Sequence, residues 1–583
     1  MPMAEVRSSK NSVRTRTAKV ALFLWLLLVS SPAGAQRILP DIRPGDERQT
    51  LPPFEAQDQP DDGPILPPYS FDEDDGSDSL LRGSEIEIQD IVIEGNTVIA
   101  HSVLEEIAKP FEGRRLSLAD LEVLRDQLTA AYLDRGYATS GAELPDQVVH
   151  GGVLRINIVE GRLSAVEVRV RGRYRPDYFK DRITHSQKGI LNVLSLQEQL
   201  QIFQQDPQIE SITAHLEPAS TRGFSRLELT VNEAPFGGLG LSFDNYRSPA
   251  IGSLAGTIYG NLHNVVGIGD AAHIRFTGRS SLRQLDAGVE APINVWDTRL
   301  GVRYQSSQGS VVDSSFAALG IQSESTSVSL ALSQPLYRTL QTEIEGHISA
   351  DWRRAQSFLF HGAIGFPTLY AEDGRSDVTA LRFGLDLFYR SRNQSVAMRS
   401  LLSWGIDALG ATVNPGDIPD GRFVAWLGQF QWAGRLPWLG AQLLARTDVQ
   451  LSPDSLLPME QFAVGGRYSV RGYRENLLVR DNGLTASLEF RVPIFQLNKP
   501  GLRVELAPFA DFGRSWNNSR PVNLGNQAEP IAIGSVGIGL RGIANNWGTA
   551  EIYWGHRLKE IRSIGESDAQ DDGISFRLSL HWP

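Results

Sequence analysis

The sequence predicts two small α+β modules followed by an all-β, 16-stranded transmembrane barrel. Helical patterns end near Phe236, and from there to the C-terminus apolar and polar residues alternate with a period of two. Such alternation is typical of strands that face water on one side and lipid on the other. No long uncharged apolar window follows the N-terminal region. A closed barrel is therefore the expected membrane-spanning element, because it leaves no backbone group unpaired.

The composition excludes several function classes. The 583 residues include no cysteine, which rules out disulfide frameworks and thiolate metal sites. The formal charge is −12, and removal of residues 1–35 takes away five basic side chains and Glu5, giving −12 − 4 = −16. An acidic chain without a basic block is a poor nucleic-acid binder. The ten histidines show no metal-ligand spacing, so neither catalysis nor a cofactor or metal is predicted.

The N-terminus has the pattern of an export signal. An uncharged apolar run at 20–29 follows a basic region and precedes the small-residue cleavage site Ala33-Gly34-Ala35. The run is too short for a spanning helix, which needs about 20 residues. We therefore expect residues 1–35 to be a signal peptide. Residues 36–85 are rich in proline and acidic side chains, which predicts a linker.

Residues 86–161 form the first predicted module, with the order β-α-α-β-β. We expect its elements at 86–96, 102–108, 117–132, 149–151 and 153–159. Ser117 and Asp120 have the spacing of a capping box at the start of the second helix, and Gly136 is placed to end it in a left-handed turn. The face of that helix predicted to be buried comprises Leu118, Leu121, Leu124, Leu128 and Tyr132.

Residues 162–234 repeat this plan. We expect its strands and helices at 166–170, 177–184, 195–205, 212–216 and 227–231. A repeated small module predicts a tandem array.

The remaining residues, 235–583, contain 16 strand candidates. They begin near 236, 253, 270, 283, 298, 324, 339, 376, 394, 421, 440, 484, 501, 534, 548 and 573. A soluble all-β protein such as a propeller is the alternative. The even strand number and the aromatics near strand ends favour the membrane barrel. These aromatics are Trp426, Trp432, Trp554 and Trp582.

A long segment, 452–483, separates the eleventh and twelfth strands and carries paired glycines, arginines and tyrosines. Arg471 beside Tyr473 suggests a buried ionic partner. In the thirteenth strand, Asp511 has the parity of the lumen face, so an arginine on an inward-folded loop could pair with it. The alternative is a solvated loop arginine and an ordinary lumen carboxylate.

Three motifs carry a family resemblance. Val470-Arg471-Gly472-Tyr473 resembles the loop motif of two-partner secretion transporters of the hemolysin activator and filamentous hemagglutinin transporter type. Residues 509–513 resemble the motif of that family's thirteenth strand, and residues 130–162 resemble its first POTRA domain. Together, the motifs identify the chain as a member of this branch of the POTRA-plus-barrel superfamily.

The resemblance implies a fold of tandem α+β POTRA domains followed by an all-β 16-stranded transmembrane barrel. The domains would be POTRA 1 at 86–161, POTRA 2 at 162–234 and the barrel at 235–583. Arg471 would lock the loop to Asp511 in the lumen, with Val470, Gly472 and Tyr473 shaping the loop.

The resemblance also implies a function. The barrel would lie in the outer membrane of a Gram-negative bacterium, in contact with its lipid, with the POTRA domains in the periplasm. Its partner would be a large secreted β-helical protein, recognised through an N-terminal secretion domain, without nucleic acid or cofactor. Family members often carry an N-terminal plug helix, which Pro40 and Pro44 make doubtful here.

Three rival functions stay open at this point. A barrel-assembly insertase of the same superfamily usually carries more POTRA domains than the two that fit here. A passive diffusion porin has no periplasmic α+β modules. A structural or adhesive surface barrel would not need an inward arginine loop.

Overall fold

The computed structural model describes most of the chain beyond residue 84. The described residues are 65–66, 85–312, 314, 317–367, 370–371, 373–416, 418–497, 501–518, 531–544, 547–561 and 567–582. The predicted signal peptide and the plug region lie outside them, as does nearly all of the predicted linker. Among these residues, no helix is long and apolar enough to cross a membrane.

The first module contains the predicted helix, which begins directly after the predicted N-cap residue, Ser117. Its elements are β1 (Ile86–Ile88), β2 (Asp90–Glu94), α1 (His101–Ala108), β3 (Arg114–Leu116), α2 (Leu118–Leu133), β4 (Gly141–Glu143) and β5 (Val153–Val159). The predicted capping box is present, because the Ser117 side chain accepts from the Asp120 amide and the Asp120 carboxylate accepts from the Ser117 amide. Gly136 has a left-handed φ of 84°. Leu118 is exposed, contrary to the prediction, whereas the other four residues of that face are buried.

The strand predicted at 149–151 is wrong. The strand that pairs with β5 is β4, in the antiparallel register Gly141↔Val159, and the sheet order is β2-β5-β4. Residues 149–151 lead instead into a turn in which Gly151 and Gly152 both have positive φ. Because that turn delivers the chain directly into β5, no residues remain there to form a separate strand.

The second module has the predicted order of elements. They are β6 (Arg162–Arg171), α3 (Pro176–Ser186), α4 (Val193–Gln204), β7 (Ile209–Pro218) and β8 (Phe224–Glu233), with the sheet order β6-β8-β7. Two residues from the predicted linker pack on this module: Leu66 is buried against its core with Ile65 beside it. The Leu66 amide donates to Oε1 of Gln197 at 2.8 Å. The predicted linker therefore contacts the second module at this point, because its apolar side chains pack against the core of that module.

The barrel closes through pairing of its last strand with its first. Its strands are β9 (Gly237–Asp244), β10 (Ala255–His263), β11 (Ala271–Arg279), β12 (Leu282–Pro292), β13 (Arg299–Ser310), β14 (Gln322–Arg338), β15 (Thr342–Leu359), β16 (Ile364–Gly365), β17 (Arg375–Arg390), β18 (Gln394–Ile406), β19 (Val424–Leu436), β20 (Ala441–Leu451), β23 (Asn482–Leu497), β24 (Leu502–Trp516), β25 (Ile531–Ala544), β26 (Gly548–Arg557) and β27 (Ile574–Trp582). Apart from the two-residue β16, these are 16 long strands. Each begins within three residues of its predicted start. A short hairpin of β21 (Phe462–Val464) and β22 (Leu478–Arg480) forms a separate two-stranded sheet that is not part of the barrel wall.

The alternation along each strand separates lumen from lipid. In β15, Ser349 and Asp351 are buried, whereas Ile348 and Ala350 are exposed on the other face. In β24, Asp511 is buried on the face predicted for the lumen. The wall therefore presents polar side chains inward and apolar side chains outward, as a membrane barrel requires.

Candidate functional site

The segment between β20 and β23 folds back into the barrel lumen. Its β21–β22 hairpin joins a small apolar cluster against the wall. The buried members of this cluster are Phe462, Val464, Val470, Tyr473, Leu478 and Ile533. We call residues 452–481 the lumen loop. Because its apolar side chains are covered by the wall, the loop is an internal part of the barrel rather than a solvated surface loop.

The two consecutive glycines of the lumen loop set its turn. Gly465 and Gly466 have φ values of 115° and 95°, which non-glycine residues rarely adopt. A Cβ on Gly466 would also collide with the side chain of Glu475. The Ser469 hydroxyl donates to the Gly465 carbonyl at 2.8 Å, which closes the turn. This geometry places Val470 and Arg471 against the wall.

Arg471 meets Asp511 of β24 through three hydrogen bonds. Its Nε donates to Oδ2 and its Nη2 to Oδ1, each at 2.8 Å. The Arg471 backbone amide also donates to Oδ2 at 2.9 Å. The arginine side chain is 3% exposed and that of the aspartate 0%. The fork of two parallel bonds fixes orientation as well as charge, so the pairing specifies where the loop sits.

A second carboxylate and an aromatic ring complete the surroundings of Arg471. Glu489 of β23 accepts from its Nη1, and the Ser487 hydroxyl accepts from its Nη2 at 2.9 Å. The guanidinium carbon lies 3.6 Å from the centroid of the Phe509 ring. A buried guanidinium is tolerated only when its N–H donors have acceptors and its charge is balanced by negative charge. Strands β23 and β24 supply both the acceptors and the negative charge here.

Glycines in the wall make room for the loop. A Cβ on Gly472, whose φ is 88°, would lie 2.6 Å from the Gly555 carbonyl oxygen of β26. A Cβ on Gly513 of β24 would lie 2.4 Å from Val464 and 2.8 Å from Val470. Loop and wall therefore touch backbone to backbone at one point, and side chain to glycine at another.

Tyr473, the last residue of the motif, is held in place by hydrogen bonds of its hydroxyl group. Its hydroxyl lies 2.8 Å from the Lys559 carbonyl and 3.0 Å from the Gly534 carbonyl, and it accepts from the Lys559 amide at 3.2 Å. The Arg557 Nε donates to the Gly472 carbonyl at 2.6 Å. All four residues of the predicted motif thus lie together at one wall of the lumen.

The sequence did not identify several contacts of the lumen loop. Arg467 pairs with Glu551 of β26 at 3.1 Å, and Arg474 with Asp571 of the following loop at 2.5 Å. Glu489 has the lumen parity in the predicted strand, but no spacing linked it to Arg471. Within the described ranges, no group of three or more histidine and carboxylate side chains is placed to hold a metal ion.

Two family descriptions match the chain. The family described as "Haemolysin secretion/activation protein ShlB/FhaC/HecB" matches residues 223–542, more than half of the chain. The domain family described as "POTRA domain, ShlB-type" matches residues 86–161. The second match has the bounds predicted for the first module.

Curated relatives cover most of this chain. "Outer membrane transporter CdiB" of Escherichia coli O6:K15:H31 is 25% identical over 517 residues, which cover 83% of each chain. The protein of that name from Dickeya dadantii is 25% identical and covers 82% of this chain and 84% of its own. Both alignments run through the modules and the barrel.

Solved structures share the fold. CdiB from Escherichia coli has a TM-score of 0.67 at 19% identity, covering 89% of this chain and 94% of its own. CdiB from Acinetobacter baumannii has a TM-score of 0.59 at 17% identity, covering 99% of each chain. BamA from Haemophilus ducreyi, lacking POTRA domains 1–3, has a TM-score of 0.51 at 12% identity, covering 86% of this chain and all of its own.

Proposed function

The chain belongs to the haemolysin secretion/activation family, and from this premise we propose how it moves its partner. It is an outer-membrane transporter of two-partner secretion, which carries a large secreted protein to the cell surface. The observation that carries our proposal is the lumen loop held by Arg471 and Asp511. A loop buried in the path of the exported chain has to shift or deform before that chain can pass.

Recognition begins in the periplasm. We assign residues 86–161 and 162–234 to two POTRA domains, each with a three-stranded sheet whose outer strands pair on one side only among the residues that the structure describes. An extended segment can add to such an edge through main-chain hydrogen bonds. The N-terminal secretion domain of a β-helical partner has extended segments suited to this pairing. Residues 1–35 would direct the transporter itself to the periplasm as a cleaved signal peptide.

Passage then runs through the lumen. Arg471 and Asp511 hold the lumen loop in its resting position, while Gly472 and Tyr473 fit it against the wall. The polar lumen face allows an unfolded chain to slide without binding tightly. Folding of the partner outside the cell, rather than nucleotide hydrolysis, supplies the direction of transport.

The barrel-assembly insertase is less favoured. The haemolysin secretion family matches more than half of this chain. BamA resembles it with a lower TM-score than either CdiB structure does. A porin is disfavoured by the two α+β modules that precede the barrel.

The test is secretion of a candidate partner, co-expressed with and without this chain in cells lacking other such transporters. We expect the partner in the culture supernatant only when the chain is present. A chain that carries Asp511→Asn serves as the comparison for the proposed role of the loop. If the partner stays in the periplasm while other outer-membrane barrels are lost on depletion of this chain, the insertase is the better account.

A further inference from the structure

The lumen loop makes a second set of wall contacts, separated from those of Arg471 by three strands of the barrel. Its descending limb, residues 456–461, enters the lumen before the hairpin and lies against β15, β17 and the start of β19. We propose that Glu460 is a second anchor, which holds this limb independently of the Arg471 pairing. The inference deepens the proposed role of the loop in gating and rests on it.

Glu460 contacts two arginines from neighbouring wall strands. Its Oε1 accepts from Nη2 of Arg382 at 2.8 Å and from Nη1 of Arg353 at 3.3 Å. Nη1 of Arg353 also donates to the Met459 carbonyl at 3.3 Å. The Arg382 and Glu460 side chains are 5% and 6% exposed. Asp351 of β15 accepts from Arg382 as well, so the cluster joins two wall strands and the limb.

Apolar contacts flank this ionic cluster. Leu456 and Leu457 are fully buried and Met459 is nearly so. They pack in one cluster with wall residues of β17 and β19 and with Phe423 just before β19. In β17, Val378 shares the lumen parity of Arg382, where the other strands carry many polar side chains. An apolar residue on a watery lumen face is costly unless something covers it, and the limb does.

The two anchors lie on different parts of the wall. Arg471 is held by β23 and β24, whereas Glu460 is held by β15 and β17. Strands β18, β19 and β20 lie between these two regions. The loop is therefore attached to the wall at two separate points along its length. Release of either anchor frees one limb and leaves the other in place.

Hydrogen exchange of the purified, membrane-reconstituted full chain separates the two anchors. In Glu460→Gln, which keeps the size and removes the charge, we expect amides of 456–461 to exchange about tenfold faster or more, as expected for loss of hydrogen bonds between charged groups. Amides of 467–475 keep their protection. Arg471→Ala is expected to give the opposite pattern.

Asp386→Asn is the matched control. Asp386 lies on β17, like Arg382, and accepts two bonds from Arg399 at 2.8 and 2.7 Å. No contact between Asp386 and the lumen loop is recorded among the described residues, so this variant breaks a buried wall pair without touching an anchor. We expect it to leave the exchange of both loop segments unchanged.

The outcomes distinguish the second anchor from failure of the transport proposal. The exchange experiment needs no partner, so it is independent of secretion. Unchanged exchange of 456–461 in Glu460→Gln overturns the anchor. So does equal loosening of 456–461 and 467–475, which would make the loop one unit. If Glu460→Gln does not insert, Arg353→Gln, which removes contacts to Glu460 and to the Met459 carbonyl, decides in the same way.

Discussion

Replacement of Arg471 by alanine is the sharpest perturbation of the lumen loop. It removes both guanidinium bonds to Asp511, the contact with Glu489 and the stacking on Phe509. The two carboxylates then share a buried site without that cation. Asp511 keeps the backbone amide of residue 471, and Glu489 keeps Nε of Arg491 at 2.6 Å.

The magnitude follows from the buried state of the pair. Removing one partner of a buried ion pair costs about 3–5 kcal/mol, because the other charge is left uncompensated. At about 1.4 kcal/mol for each factor of ten, the population with a displaced loop rises by roughly 10² to 4 × 10³. Arg471→Lys keeps the charge but loses the fork geometry, so its effect should be smaller and in the same direction.

Single-channel recording in planar lipid bilayers measures this population directly. We expect Arg471→Ala to spend far more time in a large-conductance state than the wild-type chain, while heat-modifiable migration on gels shows an intact barrel. Secretion should fall to the background level, because the loop no longer returns to its place. Wild-type conductance together with wild-type secretion in Arg471→Ala would refute the reasoning.

Three further predictions concern Gly472, the N-cap of α2 and the carboxylate of Glu160. Gly472→Ala should raise the large-conductance population, because its Cβ meets the wall; Gly416→Ala, with positive φ but open space, should not. Ser117→Ala should speed amide exchange in α2 about fivefold through loss of about 1 kcal/mol of capping, and unchanged exchange would contradict this. Burial raises the pKa of Glu160, but hydrogen bonds from Thr97 and its neighbours outweigh it and hold the pKa below the usual value. Its contribution to stability is therefore present above the unfolded pKa and lost as the pH falls through the folded one. Protection factors of residues 86–161 should drop over that range in the wild type, and Glu160→Gln should remove this pH dependence; an identical dependence in both would contradict it.

Strand positions in the barrel were predictable because lipid and water impose opposite demands on alternate residues. That constraint acts on each strand separately, so Asp511 could be assigned to the lumen from sequence alone. The strand predicted at 149–151 was wrong because Gly151 and Gly152 both have positive φ and turn the chain directly into β5. The prediction for Leu118 was wrong because this side chain, at the first position of α2, is exposed whereas the later residues of the same face are buried.

The contacts of the lumen loop were less predictable. The sequence identified Arg471 and its motif as candidates. The wall residues that the loop contacts, among them Glu489, Glu551 and Gly555, belong to separate strands. Their meeting depends on barrel closure and on the path of the loop. A Cβ at position 472 would collide with the wall only because the backbone of Gly555 lies opposite, and no local sequence pattern predicts that contact. Sequence thus gives the parity of a wall residue, while the fold decides which loop residue it meets.

The most direct measurement of transport through this lumen is site-specific photo-crosslinking during secretion. A photoreactive residue is placed at Ser349, which faces the lumen in β15, or at the neighbouring Ile348, which faces lipid and is 51% exposed. We expect the exported partner to crosslink at 349 and not at 348 while it is being secreted. Crosslinking at 348, or normal secretion with no crosslink at 349, would contradict passage through the barrel.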